Sequence, residues 1–178
     1  MKEKVVCFTG HRPEKLPCHD RSSVQTMVLK SFLYKEIYDC INEGFTVFVT
    51  GLSLGVDIWA STIVMEFMAK NPDIKLITAI PYKNFGAGRK GIDYWEYKNT
   101  LAKSSEVISI APKFVNGCME KRNHLMVDMS DRVIAILLEN KSGTAQTVRY
   151  ARKKGVETHI IDLKGAEDTY REHTPFLI

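Results

Sequence analysis

The segment Thr50-Gly51-Leu52-Ser53-Leu54-Gly55-Val56-Asp57 joins an apolar run to a helical pattern. Its glycines leave backbone N–H groups open to close approach. A loop of this kind at the start of a helix suits an anion, because unpaired N–H groups and the helix dipole both favour negative charge. Two other loops share the character. Thr9-Gly10-His11-Arg12-Pro13 adds an imidazole and a guanidinium, and Glu139-Asn140-Lys141-Ser142-Gly143-Thr144 leads into another helical pattern. The candidate ligand-binding residues are therefore Gly10, His11, Arg12, Gly51, Ser53, Gly55, Asp57, Ser142, Gly143 and Thr144, with Pro81 at the end of a further apolar run. Taken singly, each loop is equally well a tight turn, with Asp57 complementing its helix dipole and Ser142 or Thr144 serving as an N-cap. Taken together, the three point to capture of a phosphate-like group.

The elements that position these loops are legible in the apolar pattern. Short β-rich runs at 5–9, 45–50, 74–80, 106–111, 132–137 and 157–162 are near-continuously apolar, which predicts strands buried on both faces. Amphipathic segments alternate with them at about 24–43, 55–69, 93–104, 117–130 and 144–154. On the first segment Val28, Phe32, Ile37 and Ile41 form the expected buried stripe, with Gly44 as its stop. The alternation predicts an α/β fold in three layers, a mainly parallel central sheet of about six or more strands flanked by helices. Ligands of such sheets bind beyond the carboxyl ends of the strands, which is where all three loops fall.

Composition narrows the function classes. With 178 residues, 44% hydrophobic and 26% charged, the chain is expected to form a single domain over 1–178, with 165–178 as a polar C-terminal extension. A net charge of +4 suits an anionic ligand, but the basic residues are spread along the chain, so nucleic acid is a disfavoured partner. No apolar run approaches the roughly 18–20 residues that span a bilayer, so no membrane association is expected. Cys7, Cys18, Cys40 and Cys118 lack Cys-x-x-Cys spacing and no signal-peptide pattern opens the sequence, which together suggest free thiols and a cytoplasmic location.

Other patterns are weaker. Gly86-Ala87-Gly88-Arg89-Lys90-Gly91 spells G-x-G-x-x-G, but Pro81 to Phe85 separate it from the preceding run, so it is rejected as a dinucleotide fingerprint and read as a basic loop whose Lys83, Arg89 and Lys90 can cover a ligand. His11, Cys18 and His19 fit no metal-ligand spacing; neither a metal nor a cofactor is expected. Met119, Met126 and Met129 suit a core or a homo-oligomer contact. Tyr82, Tyr94, Trp95 and Tyr97 suit either packing or stacking on a base.

The segments TGHRP, TGLSLGVDIWA, EKRNHLMVDMSDRVIAI and KSGTAQTVRYA together resemble the YpsA-type branch of the SLOG superfamily, over roughly residues 4–162. These are Rossmann-like proteins related to the DNA-processing protein DprA and to the LOG nucleotide hydrolases. The resemblance implies a Rossmann-like sheet and a nucleotide or nucleotide-derived ligand, with GLSLGVD similar to the phosphate loop of DprA-like proteins. It also adds Arg122, which resembles the LOG catalytic arginine; its neighbour Asn123 joins the candidate set. The departure is equally specific. LOG hydrolases carry a glutamate in P-G-G-x-G-T-x-x-E, whereas KSGTAQT places Thr147 at that position. An oxocarbenium-like transition state needs a nearby negative charge, and threonine supplies none. Asp57, Asp128 and Glu120 are the candidate substitutes. The leading expectation is a nucleotide sensor or regulatory module; the alternatives are an N-glycosidic hydrolase of a nucleotide or ADP-ribose-like compound, and a DprA-like single-stranded DNA binder.

Overall fold

The structure is a computed structural model that describes residues 3–16, 23–138 and 142–162. Cys18, His19, the 139–141 part of the third loop and the 165–178 extension lie outside the described residues. Among the described residues there are six strands: β1 (Lys4–Gly10), β2 (Phe45–Thr50), β3 (Lys75–Ile80), β4 (Glu106–Ser109), β5 (Arg132–Leu137) and β6 (Glu157–Asp162). Five helices alternate with them: α1 (Val24–Asn42), α2 (Val56–Met68), α3 (Gly91–Lys103), α4 (Cys118–Asp128) and α5 (Gly143–Lys154). The strands form one sheet in the order β4-β3-β2-β1-β5-β6, with every neighbouring pair parallel. From β1 the chain moves outward to β4, then reverses to add β5 and β6, so the topological switch lies between β1 and β5.

Parallel pairing needs a helical crossover, and both faces of the sheet are accordingly covered. On one face Leu29, Leu33 and Ile37 of α1 and Trp59, Ile63 and Val64 of α2 pack on Val6, Phe8, Phe48 and Ile134. On the other, Met126 and Val127 of α4 and Val148 and Ala151 of α5 pack on Cys7, Val49, Val133 and Ala135. Alternate residues of the same strands thus serve opposite cores, which is why these strands read as unbroken apolar runs. The six expected runs and five expected helices are all present.

Two expectations fail in detail. Run 106–111 is a four-residue strand with mostly exposed side chains, because β4 pairs only with β3 at the sheet edge. On α1 the buried stripe is Thr26, Leu29, Leu33, Ile37 and Cys40, while Phe32 is 39% exposed. The helix carries apolar residues on more than one face, and Tyr34 and Tyr38 pack against Phe67 of α2; periodicity alone therefore misplaced Phe32, while Ile37 is buried as expected and Ile41 packs on the core.

The amino end of the sheet is tied by Arg132, whose guanidinium donates to Glu43 at 2.6 Å and Glu157 at 2.8 Å and lies 4.6 Å from the Phe45 ring centroid. At the carboxyl end, β1 and α2 touch directly: a Cβ on Gly10 would overlap the Val56 side chain. Gly10→Ala is therefore expected to lower stability by about 1–3 kcal/mol in chemical denaturation. Combined with Val56→Ala, the loss should be smaller than the sum of the two single losses, since the clash is shared.

Candidate functional site

The loop after β2 is held from below by α4. Arg122, only 5% exposed, donates from Nη1 to the Gly51 carbonyl and from Nη2 to Ser53 Oγ at 3.2 Å. Its Nη1 also lies 3.9 Å from Asp57 Oδ2 on α2. Asp57, 5% exposed, accepts the Ser53 N–H at 3.2 Å. Thr50 Oγ1 closes the turn by donating to the Asp57 carbonyl at 3.1 Å and accepting the Leu52 N–H at 3.3 Å. The loop expected to hold a phosphate thus already holds a carboxylate of its own.

The electrostatics are those of an incompletely compensated pair. Burial pushes the Asp57 carboxyl up, and Arg122 and the Ser53 hydrogen bonds pull only part of that back. Burial likewise pushes Arg122 down, opposed by Asp57. At 3.9 Å the attraction is real but lacks a short, direct hydrogen bond between the two charged groups, so desolvation dominates both shifts.

The loop glycines follow from this packing. A Cβ on Gly51 would occupy the Arg122 guanidinium, and one on Gly55, whose φ is +86°, would stand 2.8 Å from the His11 carbonyl and 3.0 Å from Pro13 Cδ. Both are required by protein packing, whatever the ligand. His11 is buried, and its Nε2 accepts the Leu138 N–H at 3.1 Å across the switch point between β1 and β5. That nitrogen therefore acts as an acceptor, and the histidine ties two strand ends together. Arg12 is exposed beside it. Pro81 is buried where β3 ends.

An open cavity of about 280 Å³ lies on the other side of α4, between the N-termini of α4 and α5. Asn123 and Glu120 of α4, Gly143, Gln146 and Thr147 of α5, and Phe114 before α4 are among its lining residues. Gly117, in the left-handed region at φ +79°, caps α4 without a side-chain hydrogen bond. On α5 the cap is Ser142, whose Oγ accepts the Ala145 N–H at 3.1 Å. Thr144 is buried next to it. Thr147 Oγ1 donates to the Gly143 carbonyl at 2.9 Å, so its hydroxyl is engaged with its own helix.

Of the sequence-derived residues, the structure gathers Gly51, Ser53, Asp57 and Arg122 into one cluster, with His11 and Gly55 against its rim, and brings Asn123 and Gly143 to the cavity. Of the carboxylates considered as substitutes for a catalytic glutamate, Glu120 lines the cavity. Asp57 is committed to the loop, and Asp128 binds Tyr150 and Lys154. Gln146 and Phe114 were missed; Gln146 was findable as the residue one turn into the helix that Ser142 caps. Arg89 was seen only as part of a covering loop, yet its Nη2 donates to the Leu52 carbonyl at 2.6 Å. The aromatics divide: Tyr82 and Tyr97 pack in a small core with Phe85, while Tyr94 and Trp95 are exposed. Met126 is core, and Met119 packs on the separate small cluster of Leu52, Ile80 and Phe85. Among the described residues no His, Cys, Asp and Glu are grouped to hold a metal, Cys7, Cys40 and Cys118 are free thiols, and no helix is long and apolar enough to cross a membrane.

Residues 6–165 match the profile of the YspA SLOG family (YpsA). The chain belongs to this family. It is 26% identical over 155 residues to a UPF0398 protein of Bacillus thuringiensis (strain Al Hakam), covering 85% of this chain and 84% of that one. A UPF0398 protein of Bacillus cereus (strain B4264) is 25% identical over the same length and coverage. Among solved structures, DNA processing protein A of Helicobacter pylori, described for its single-stranded DNA binding mode, superposes with a TM-score of 0.63 at 22% identity, over 88% of this chain and 64% of that one. DNA processing protein A (DprA) of Streptococcus pneumoniae superposes with a TM-score of 0.60 at 16% identity, over 89% of this chain and 50% of that one. The chain thus spans less than two thirds of either DprA structure, and the likeness is one of fold.

The buried pair generates a stability prediction for this SLOG protein. Arg122→Ala should cost about 3–5 kcal/mol in denaturant titration, because it strands the Asp57 carboxylate and frees the Gly51 carbonyl. Adding Asp57→Ala should recover part of that loss. A cost below about 0.5 kcal/mol, the usual scale of a surface change, would show that the brace does not form.

Proposed function

We propose that the protein binds a nucleotide or nucleotide-derived ligand in the cavity between the N-termini of α4 and α5 and acts as a sensor or regulatory module. The observation that carries this reading is the convergence of two helix N-termini on one open cavity at the carboxyl edge of the sheet. Such a site favours an anionic group through the helix dipoles, while Asn123 and Gln146 offer amide donors and acceptors and Phe114 an apolar face. Membership of the SLOG family and the DprA-like fold support a nucleotide-related role.

The hydrolase alternative is weakened by Thr147. Its hydroxyl is turned to the Gly143 carbonyl, and Glu120 is the carboxylate left to serve the cavity. A single-stranded DNA reading draws on the single-stranded DNA binding mode described for the Helicobacter protein and on Phe114, which is 63% exposed and next in sequence to Lys113. Strong salt dependence of binding to a labelled oligonucleotide, at affinities exceeding those for nucleotides, would favour that reading instead.

Calorimetry with a panel of nucleotides tests the proposal. Asn123→Ala and Gln146→Ala are each expected to weaken the best ligand at least tenfold, about 1.4 kcal/mol, with cooperative melting retained. Equal affinity in both variants would remove the cavity from the site. AMP, GMP, CMP and UMP should release no base on incubation; turnover at roughly one per second or faster would establish the hydrolase.

A further inference from the structure

The cavity between α4 and α5 has a wall unlike that of a phosphate site. Among its described lining residues there is no lysine or arginine, and the one carboxylate is Glu120. The helix dipoles favour negative charge, but the protein's own groups already answer them. Glu120 stands in the first turn of α4, where a carboxylate complements the dipole. On α5, Ser142 Oγ accepts the Ala145 N–H at 3.1 Å. A phosphate placed in the cavity therefore meets a like charge, with no guanidinium or ammonium of the described wall to offset it. Size narrows the content further. At about 280 Å³ the cavity lies just below the range of about 300–1,000 Å³ usual for small-molecule pockets, so it suits one base with one sugar and excludes a dinucleotide.

The polar groups of the wall fit that content. Asn116, Asn123 and Gln146 carry amides, each with donors and an acceptor, the complement of a base's hydrogen-bonding edge. Phe114 is 63% exposed, and Tyr82 holds its ring edge-to-face with centroids 5.7 Å apart, so a flat apolar surface is ready for a base. Glu120, with its side chain 66% exposed, is an ionised group that only accepts hydrogen bonds. His124 Nε2 stands 3.8 Å from Glu120 Oε1, beyond hydrogen-bond length, which leaves the carboxylate's lone pairs open to a ligand. The His124 ring is in turn fixed by stacking on Tyr150 at 3.7 Å. Two neighbouring hydroxyls, the diol of a ribose, supply the pair of donors that a carboxylate takes.

On the reading of this cavity as the ligand site, we propose that it takes a ribonucleoside, with Glu120 accepting from the ribose hydroxyls and Phe114 stacking on the base, and that Glu120 makes it reject the 5′-phosphorylated form. The ligand is thereby narrowed from nucleotides in general to their dephosphorylated relatives. Glu120 determines specificity twice, for ribose over deoxyribose through hydrogen bonds and against phosphate through charge.

Calorimetry on the full chain with adenosine, guanosine, cytidine and uridine, their 2′-deoxy forms and their 5′-monophosphates provides the test. The best ribonucleoside is expected to bind at least tenfold more tightly than its 5′-monophosphate and than its 2′-deoxy form. Glu120→Gln, which keeps the size and removes the charge, should reduce both preferences to about threefold or less, the coupling expected of a direct contact. Glu120→Lys should reverse the second preference, so that the monophosphate binds more tightly than the nucleoside. Glu120 is exposed, so both variants are expected to melt like the parent. The assignment is overturned if the parent fails to prefer the ribonucleoside over either relative, or if Glu120→Gln leaves those preferences unchanged. Tight monophosphate binding that still depends on Asn123 overturns it while leaving the cavity as a nucleotide site. If no nucleoside or nucleotide binds with a Kd below about 1 mM, the ligand site and its specificity fall together.

Discussion

The carboxyl edge of this sheet depends on one buried guanidinium. Arg122 reaches from the helix layer on one face, past the end of β2, to a carboxylate on the helix layer of the other face. It also fixes the loop between them through the Gly51 carbonyl and Ser53. A hydrophobic contact cannot do this, because the end of a strand presents backbone carbonyls that need donors. A lysine cannot do it well either, because a single ammonium lacks the fork that spans a carbonyl, a hydroxyl and a carboxylate at once. Glycine at 51 follows from the same constraint, since the guanidinium occupies the space of its Cβ.

That brace separates two jobs along one helix. Adjacent residues of an α-helix point about 100° apart, so Arg122 can face the loop while Asn123 lines the cavity against α5. The second turn of α4 is then shared by a structural contact and an open surface. The stacking of His124 on Tyr150, with ring centroids 3.7 Å apart, and the grip of Tyr150 and Lys154 on Asp128 hold α4 against α5 farther along. The cavity mouth is thereby set between two helices that are clamped at their far ends, the arrangement expected of a preformed site.

Much of this was legible in the sequence because strand and helix periods are local. β2 and β5 announced themselves as buried strands, and Gly44 as a helix stop, without knowledge of anything distant. β4 misled because an apolar run says nothing about whether a strand will have one neighbour or two. The contacts of the loop after β2 were hidden for a stronger reason: the residue that fills the gap beside Gly51 lies 71 positions away. A glycine reports only that something comes close, and the sequence pattern is equally consistent with a phosphate and with an arginine. His11 was similarly opaque, since its partner is the backbone amide of Leu138, just past the end of β5. Arg89 was opaque for the same reason, since its partner is the Leu52 carbonyl on a loop 37 positions away.

The two ends of the sheet differ electrically. At the amino end Arg132 is shared by Glu43 and Glu157, so two carboxylates match its charge there. At the carboxyl end Arg12, Arg89 and Arg122 meet fewer carboxylates. The amino-end pairs set a buried guanidinium against half-exposed carboxylates, so rising salt screens their outer side and loosens the sheet's amino end first.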